Sequence, residues 1–185
     1  MKNTTASLAR ILIMLALSSG LQAQSLNPQA QQKVDRIIAE VRDWAKSAPV
    51  TKAVEDQNRE LPPALATMTQ QKWDSLPEAD PFVHAFTVNA AAEFLRRIKT
   101  PAISEMFLSD ANGRKIAFLA KTTNWSHQGK PKHEVPMSGR VWQGKIEVDQ
   151  STGSQELQIS VPVLVDGKAA GSLVVGIAVS ALMSD

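Results

Sequence analysis

The feature that most limits what this chain can become is a change of hydrophobic period near residue 100. Before it, Val34, Ile37, Ile38, Val41 and Trp44 recur at the spacing of one helix face. After it, apolar residues come in short, β-branched, partly alternating runs: Ile103 to Leu108, Ile116 to Ala120, Val141 to Val148, Leu157 to Val165 and Leu173 to Val179. Five strands behind a helical half can bury their apolar faces only as a sheet with helices packed on it. The predicted class is therefore α+β.

Local signals sharpen this outline. Asn27 reads as a helix N-cap with Pro28 in the first turn, opening a long helix that Pro49 is expected to end. A second short helix is expected from Val50 to Asn58, broken by Leu61-Pro62-Pro63, with shorter helical pieces through Trp73. Pro81 opens one or two buried helices carrying Phe82, Val83, Phe86, Phe94 and Leu95 and ending near Lys99, and His84 among them reads as a core histidine. Asp110-Ala111-Asn112-Gly113 and Asp166-Gly167 supply residues that accept positive φ, so strands one and two, and four and five, should pair as hairpins. The sheet is then mainly antiparallel. The long amphipathic helix covers one face and leaves the other, with its loops, for a ligand.

The N-terminus carries Lys2 and Arg10, then the apolar run Ile11 to Leu17, then small and polar residues to Ala23. That order predicts a signal peptide over residues 1–23, cut after Ala23 or alternatively after Gly20. The apolar run is far shorter than the roughly 20 residues of a membrane-spanning helix. The exported part, residues 24–185, reads as one domain placed in the periplasm. The chain has no cysteine, so no lipid anchor or disulfide is expected, and stability must come from core burial. Lys2 and Arg10 account for the whole net charge of +2. A near-neutral domain without Lys/Arg runs predicts no nucleic-acid partner and no membrane-surface binding.

Between Ala111 and Ile146 stand seven basic residues, Arg114, Lys115, Lys121, Lys130, Lys132, Arg140 and Lys145, against the single acid Glu134. The segment also holds Trp125, Trp142, His127 and His133. Long polar connections on a rigid scaffold are where binding residues gather, so a pocket for a small anion is one reading. The competing reading is a solvated basic loop whose tryptophans cover the sheet edge. Asn124, Trp125 and Trp142 would give a flat apolar wall with donors at its rim, suited to a small organic carboxylate or an amino-acid-like ligand. His127, His133 and Glu134 match no established metal spacing, and no metal or other cofactor is expected. The chain has no cysteine nucleophile, no G-x-S-x-G, no H-E-x-x-H and no phosphate-cradling glycine loop, and is read as a non-enzyme.

The run Ile103-Ser104-Glu105-Met106-Phe107-Leu108-Ser109-Asp110-Ala111-Asn112-Gly113-Arg114 resembles the first hairpin of extracellular PDC-type sensor domains of the Cache superfamily. Ala53-Val54-Glu55-Asp56-Gln57-Asn58 is similar to that family's early A-V-x-x-x-N helix, and Gln71-Lys72-Trp73 to the small-x-W segment after it. Gln158 to Val163 and Gly171 to Gly176 resemble its paired last strands. The resemblance runs from about Ala30 to Leu182. It implies a PAS-like fold with a small-molecule pocket on the sheet face away from the long helix. Where the family often reads T-S-D-Y-W-x-G-D-E, this chain has Thr122 to Lys130, with Asn124 in the acidic position and Lys130 after the glycine. That exchange favours a ligand carboxylate, and Asp149 is the remaining nearby acid matching a family position.

The ligand-binding set implied is Lys121, Asn124, Trp125, Trp142 and Asp149. Family members sit in chemoreceptors, sensor kinases or cyclases. With Asp185 as its last residue, this chain is expected to be a free-standing periplasmic sensor that signals through such a separate membrane protein. A homodimer through the N-terminal helix is the family's further implication. The alternative is a periplasmic protein-interaction module with a degenerate, ligand-free pocket.

Overall fold

The structure is a computed structural model that describes residues 26–148 and 153–184. The segment expected to be a signal peptide, residues 1–23, and Asp149 lie outside the described residues. Helix α1 (Pro28–Ala45) starts where the cap predicts, with the Asn27 Oδ1 accepting from the Ala30 amide at 2.7 Å. Pro49 does not end it. The chain breaks at Lys46-Ser47, and Pro49 sits in the first turn of α2 (Ala48–Arg59), where its missing N–H costs no hydrogen bond. Short helices α3 (Pro63–Ala66), α4 (Gln70–Ser75), α5 (Pro81–Val88) and α6 (Ala90–Ile98) complete the helical half. Asp80 caps α5 and Asn89 caps α6 through their side chains.

Strands β1 (Ile103–Ser109), β2 (Lys115–Phe118), β3 (Trp142–Val148), β4 (Gln155–Val165) and β5 (Lys168–Ala178) form one antiparallel sheet in the order β2-β1-β5-β4-β3. Both expected hairpins are present. In the first, the buried Asp110 holds the turn: its Oδ1 accepts from the amides of Asn112 and Arg114, both at 2.9 Å, and its Oδ2 accepts from Arg114 Nε at 2.8 Å. In the second, Asp166 and Gly167 take φ of 50° and 74°. The connection after β2, expected to be irregular, contains helix α7 (Pro131–Met137), and a last short helix α8 (Val179–Met183) follows β5.

Alternation along the strands assigns two cores. Met106 and Leu108 of β1, Leu157, Ile159, Val161 and Val163 of β4, and Leu173, Val175 and Ile177 of β5 face α1, α2 and α6, where Val34, Val41, Val50, Val54 and Leu95 are fully buried. Phe107, Phe118 and Val174 face the other way, into an aromatic core with Trp73, Val83, Phe86 and Trp125. His84 is not in it. A helical step carries His84 off the face that buries Val83 and Phe86, and it is exposed on α5. The second face is thus covered in two pieces: aromatic residues of α4 and α5 near β2, and α7 over β3, β4 and β5. The gap between those pieces is the candidate site.

The sheet and α2 approach closely at Gly171. A Cβ there would lie 2.4 Å from the Ser109 carbonyl oxygen and 3.1 Å from the Val54 methyls. Gly171→Ala is expected to lower stability by about 1–3 kcal/mol, read as a drop in urea midpoint without a change in slope.

Candidate functional site

Between the aromatic cover and α7 lies a cavity of about 470 Å³, lined by Glu105, Phe107, Lys121, Thr122, Thr123, Asn124, His127, Lys132, Glu147, Val148, Glu156 and Gln158. Its floor is the face of β1 and β4 that points away from α1. On β4, Glu156 and Gln158 alternate with Leu157 and Ile159, and on β1, Glu105 precedes Phe107 by one pleat. Gly176 of β5 pairs with Glu105 on one side and Gln158 on the other. A Cβ on Gly176 would stand 2.8 Å from Glu156 Oε2 and 3.1 Å from Glu105 Cβ. Its bare backbone lets side chains from two strands meet above it. Gln158 Nε2 donates to Glu105 Oε2 at 2.8 Å and to Glu156 Oε1 at 2.9 Å, and Ser104 Oγ donates to Glu156 Oε2 at 2.8 Å.

The rim is the loop after β2, stitched to α4. Trp73 Nε1 donates to the Thr122 carbonyl at 2.7 Å, and Gln70 donates to the Thr123 carbonyl at 2.8 Å while accepting from the Trp125 amide at 2.9 Å. Lys121 Nζ donates to the carbonyls of Trp73 and Leu76 at 2.9 and 2.6 Å, closing the C-terminal end of α4 with a cation. Further on, the His127 amide donates to the Gly113 carbonyl at 2.9 Å, and Gly113, at φ 73°, leaves room for that approach. The His127 ring stacks on Phe107, with centroids 4.8 Å apart. Behind it, fully buried on β2, Lys115 Nζ is hydrogen-bonded to His127 Nδ1 and lies 4.0 Å from the Phe107 ring centre. Lys132, from α7, donates to Gln158 Oε1.

Burial governs how these groups titrate. It pushes His127 down to about 2, with Lys115 and Lys132 adding to the shift. His133 is lowered by burial despite its contact with the Ala111 carbonyl. Lys132 is lowered by burial against the pull of Glu105, Glu147 and Glu156, and Lys115 is held well below the ordinary lysine range by the same cause.

Of the residues expected to bind a ligand, Lys121 and Asn124 line the cavity. Trp125 does not. It is 4% exposed and packs in the aromatic core, 5.4 Å from Trp73 and 5.9 Å from Phe86 between ring centroids. A large ring that finds aromatic neighbours buries more area there than at a polar rim. Trp142 lines a smaller neighbouring cavity of about 240 Å³ that shares Lys132, Glu147, Glu156 and Gln158 with the main one. The sequence reading missed the floor, Glu105, Glu156 and Gln158. Its signal was the alternation of Glu156, Gln158 and Ser160 with Leu157, Ile159 and Val161.

A wider groove of about 680 Å³ runs between α2 and the start of α6. Three of its charged groups are joined in one cluster, Lys52 with Asp56 at 2.9 Å and Arg59 with Asp56 at 2.5 Å. Among the described residues, no group of three or more His, Asp or Glu is placed to hold a metal ion. No helix among them is long and apolar enough to cross a membrane.

No family model and no curated protein matches the chain. Several solved structures are similar to it. The sensor domain of the V. cholerae histidine kinase DctB shares 18% identity over 82% of this chain and 55% of that one, with a TM-score of 0.38. The ligand-binding domain of the Campylobacter jejuni chemoreceptor Tlp3, in complex with 4-methylisoleucine, shares 15% over 83% and 56%, with a TM-score of 0.42. The ligand-binding domain of the Pseudomonas aeruginosa PAO1 amino acid chemoreceptor PctC, in complex with GABA, shares 18% over 80% and 63%, with a TM-score of 0.37. The chain thus spans little more than half the length of the first two. The described layers, a long first helix on a five-stranded antiparallel sheet with a cavity on the far face, are those that the PDC-type resemblance implies.

Two outcomes follow from this geometry. Trp125→Ala should cost about 3–5 kcal/mol of unfolding free energy, as loss of a core aromatic does, measured by chemical denaturation. For His127 the folded value lies below the unfolded one near 6.5, so its contribution is intact above pH 6.5 and is lost as pH falls toward 2. Between pH 6.5 and 5, thermal unfolding should reveal a loss of up to about 1.4 kcal/mol per pH unit from this group. His127→Gln should flatten that slope.

Proposed function

We propose that this is a periplasmic sensing domain that binds a small dipolar molecule of the amino-acid class and presents its bound state to a separate membrane signalling protein. The observation that carries the reading is the charge layout across the cavity. Lys121 and His127, from the loop after β2, stand at one end, and Glu156 of β4 and Glu147 of β3 at the other, with Glu105 between; Lys132 of α7 offsets part of the negative charge of these three carboxylates and leaves the acidic side in excess. A ligand ammonium would take the carboxylates over Gly176, and a ligand carboxylate the donors at the β2 end. A plain dicarboxylate would bring a second negative charge against Glu105, Glu147 and Glu156, and that like-charge contact disfavours it. The basic loop therefore narrows to half of the recognition, and the floor supplies the acidic half. The signal sequence and the near-neutral exported domain support placement outside the cytoplasmic membrane.

The test is a thermal-shift screen of the purified protein against L-amino acids and γ-aminobutyrate, with the matching amines and carboxylic acids as one-ended controls. An amino acid should raise Tm in proportion to the logarithm of its concentration. Each one-ended control should bind at least about tenfold more weakly, about 1.4 kcal/mol. Gly176→Val, whose Cβ would meet Glu156 Oε2 at 2.8 Å, should displace the floor side chains and abolish the shift, with a lower Tm for the unliganded protein. Stabilisation by simple acids as strong as by amino acids would refute the dipolar reading. A flat screen, with one protein recovered from periplasm regardless of added metabolites, would favour an interaction module.

A further inference from the structure

Lys115 has no evident duty in the fold. It is fully buried on β2, its ammonium makes no ion pair among the described residues, and its one side-chain hydrogen bond is to His127 Nδ1. A buried lysine in that situation is costly, and an apolar side chain of equal length would fit the same strand position beside Phe107. What the lysine does supply is a donor aimed at one nitrogen of one imidazole. In its ammonium form Lys115 has three donors and no acceptor, so Nδ1 then offers its lone pair and the ring proton sits on Nε2. Burial opposes the charged form of Lys115 most strongly and Lys132 adds to that, while the carboxylates of Glu105 and Asp110 favour it.

The ring has little freedom to respond otherwise. It stacks on Phe107 at an interplanar angle of 16°, and its backbone is tied by its own amide to Gly113 and by its carbonyl to the Lys130 amide at 3.0 Å. His127 lines the cavity, and no described residue is bonded to its Nε2. His133 is a built-in comparison. Its Nε2 faces the Ala111 carbonyl at 3.2 Å and its Nδ1 faces Ser172 Oγ at 2.9 Å, so its own tautomer is set by backbone.

Resting on the reading of the cavity as an amino-acid-class site, we infer that Lys115 is a positioning residue that fixes His127 as the Nε2–H tautomer, making His127 a neutral hydrogen-bond donor to the ligand's carboxylate. A neutral donor adds direction at the β2 end of the site without adding positive charge. It also separates the roles of the two buried groups: His127 touches the ligand, and Lys115 acts only through it.

The test reads the imidazole directly and needs no amino acid. In ¹⁵N-histidine-labelled protein, two-bond ¹⁵N–¹H spectra distinguish the two tautomers, and His127→Gln identifies the resonance among the chain's three histidines. The wild-type ring should be Nε2–H at pH 7.5, and Lys115→Met should give a mixture of tautomers with an unchanged His133 signal and a Tm no lower than wild type. Sodium acetate, as the carboxylate probe, should shift the His127 Nε2–H resonance in wild type and require at least fivefold more acetate in Lys115→Met. An Nδ1–H or doubly protonated His127 in wild type, an unaltered tautomer in Lys115→Met, or an equal acetate response in both proteins would overturn the inference. If acetate behaves as expected while no amino acid binds, this assignment stands and the dipolar reading falls. If amino acids bind but the tautomer is Nδ1–H, only this assignment falls.

Discussion

β5 lies at the centre of the sheet with Leu173 and Val175 buried on one face and Val174 on the other, so each face has to find its own cover. Two-sided burial of that kind sets the arrangement of everything else. The first face takes α1, α2 and α6, whose apolar stripes close it completely. The second has no long helix left to it. It is covered at the β2 end by the rings of Trp73, Phe86, Phe118 and Trp125 and at the other by α7, and the cavity is the space that neither piece reaches.

Placement in that gap explains why the cavity is polar when both of its flanks are apolar. Period-two alternation forces β1 and β4 to turn one set of side chains to each face. Where the second face lacks cover, Glu105, Glu156 and Gln158 take the places that valine or leucine would otherwise fill. Gly176 then permits contact across an intervening strand, so that Gln158 joins two carboxylates that the backbone alone would keep apart. At the other end the loop after β2 is held by Gln70, Trp73 and Lys121, which makes the rim part of the fold rather than a mobile lid. Charged groups of both signs are thereby held around one small space.

Much of this was legible in the sequence, and the reasons differ by element. The α1 cap, the two tight turns and the five strands each have a local cause, and local causes are what sequence carries. Proline ends one helix and starts another with equal ease, and at Pro49 only the Lys46-Ser47 break decides between the two. The apolar neighbours of His84 suggest a core position, whereas its angle on α5 turns it to the surface. The site was half legible. Lys121 and Asn124 lie in a segment whose charge drew attention, and both line the cavity. Trp125 lies in the same segment but is claimed by α4 and α5, partners far away in the chain. Glu105 on β1 stands 53 residues from its partner Gln158 on β4, and nothing in either strand announces the other. Lys115 was counted only as one charge among seven, because burial is a property of the assembled sheet.

The central claim is that a small dipolar molecule occupies the space above Gly176. Backbone amide shifts of the ¹⁵N-labelled protein, followed while pooled L-amino acids are added, address it most directly. The account predicts saturable changes confined to Glu105, Phe107, Asn124, His127, Glu156 and Gln158 and their neighbours. Changes clustered instead between α2 and α6, or no saturable change with any pool, would contradict it.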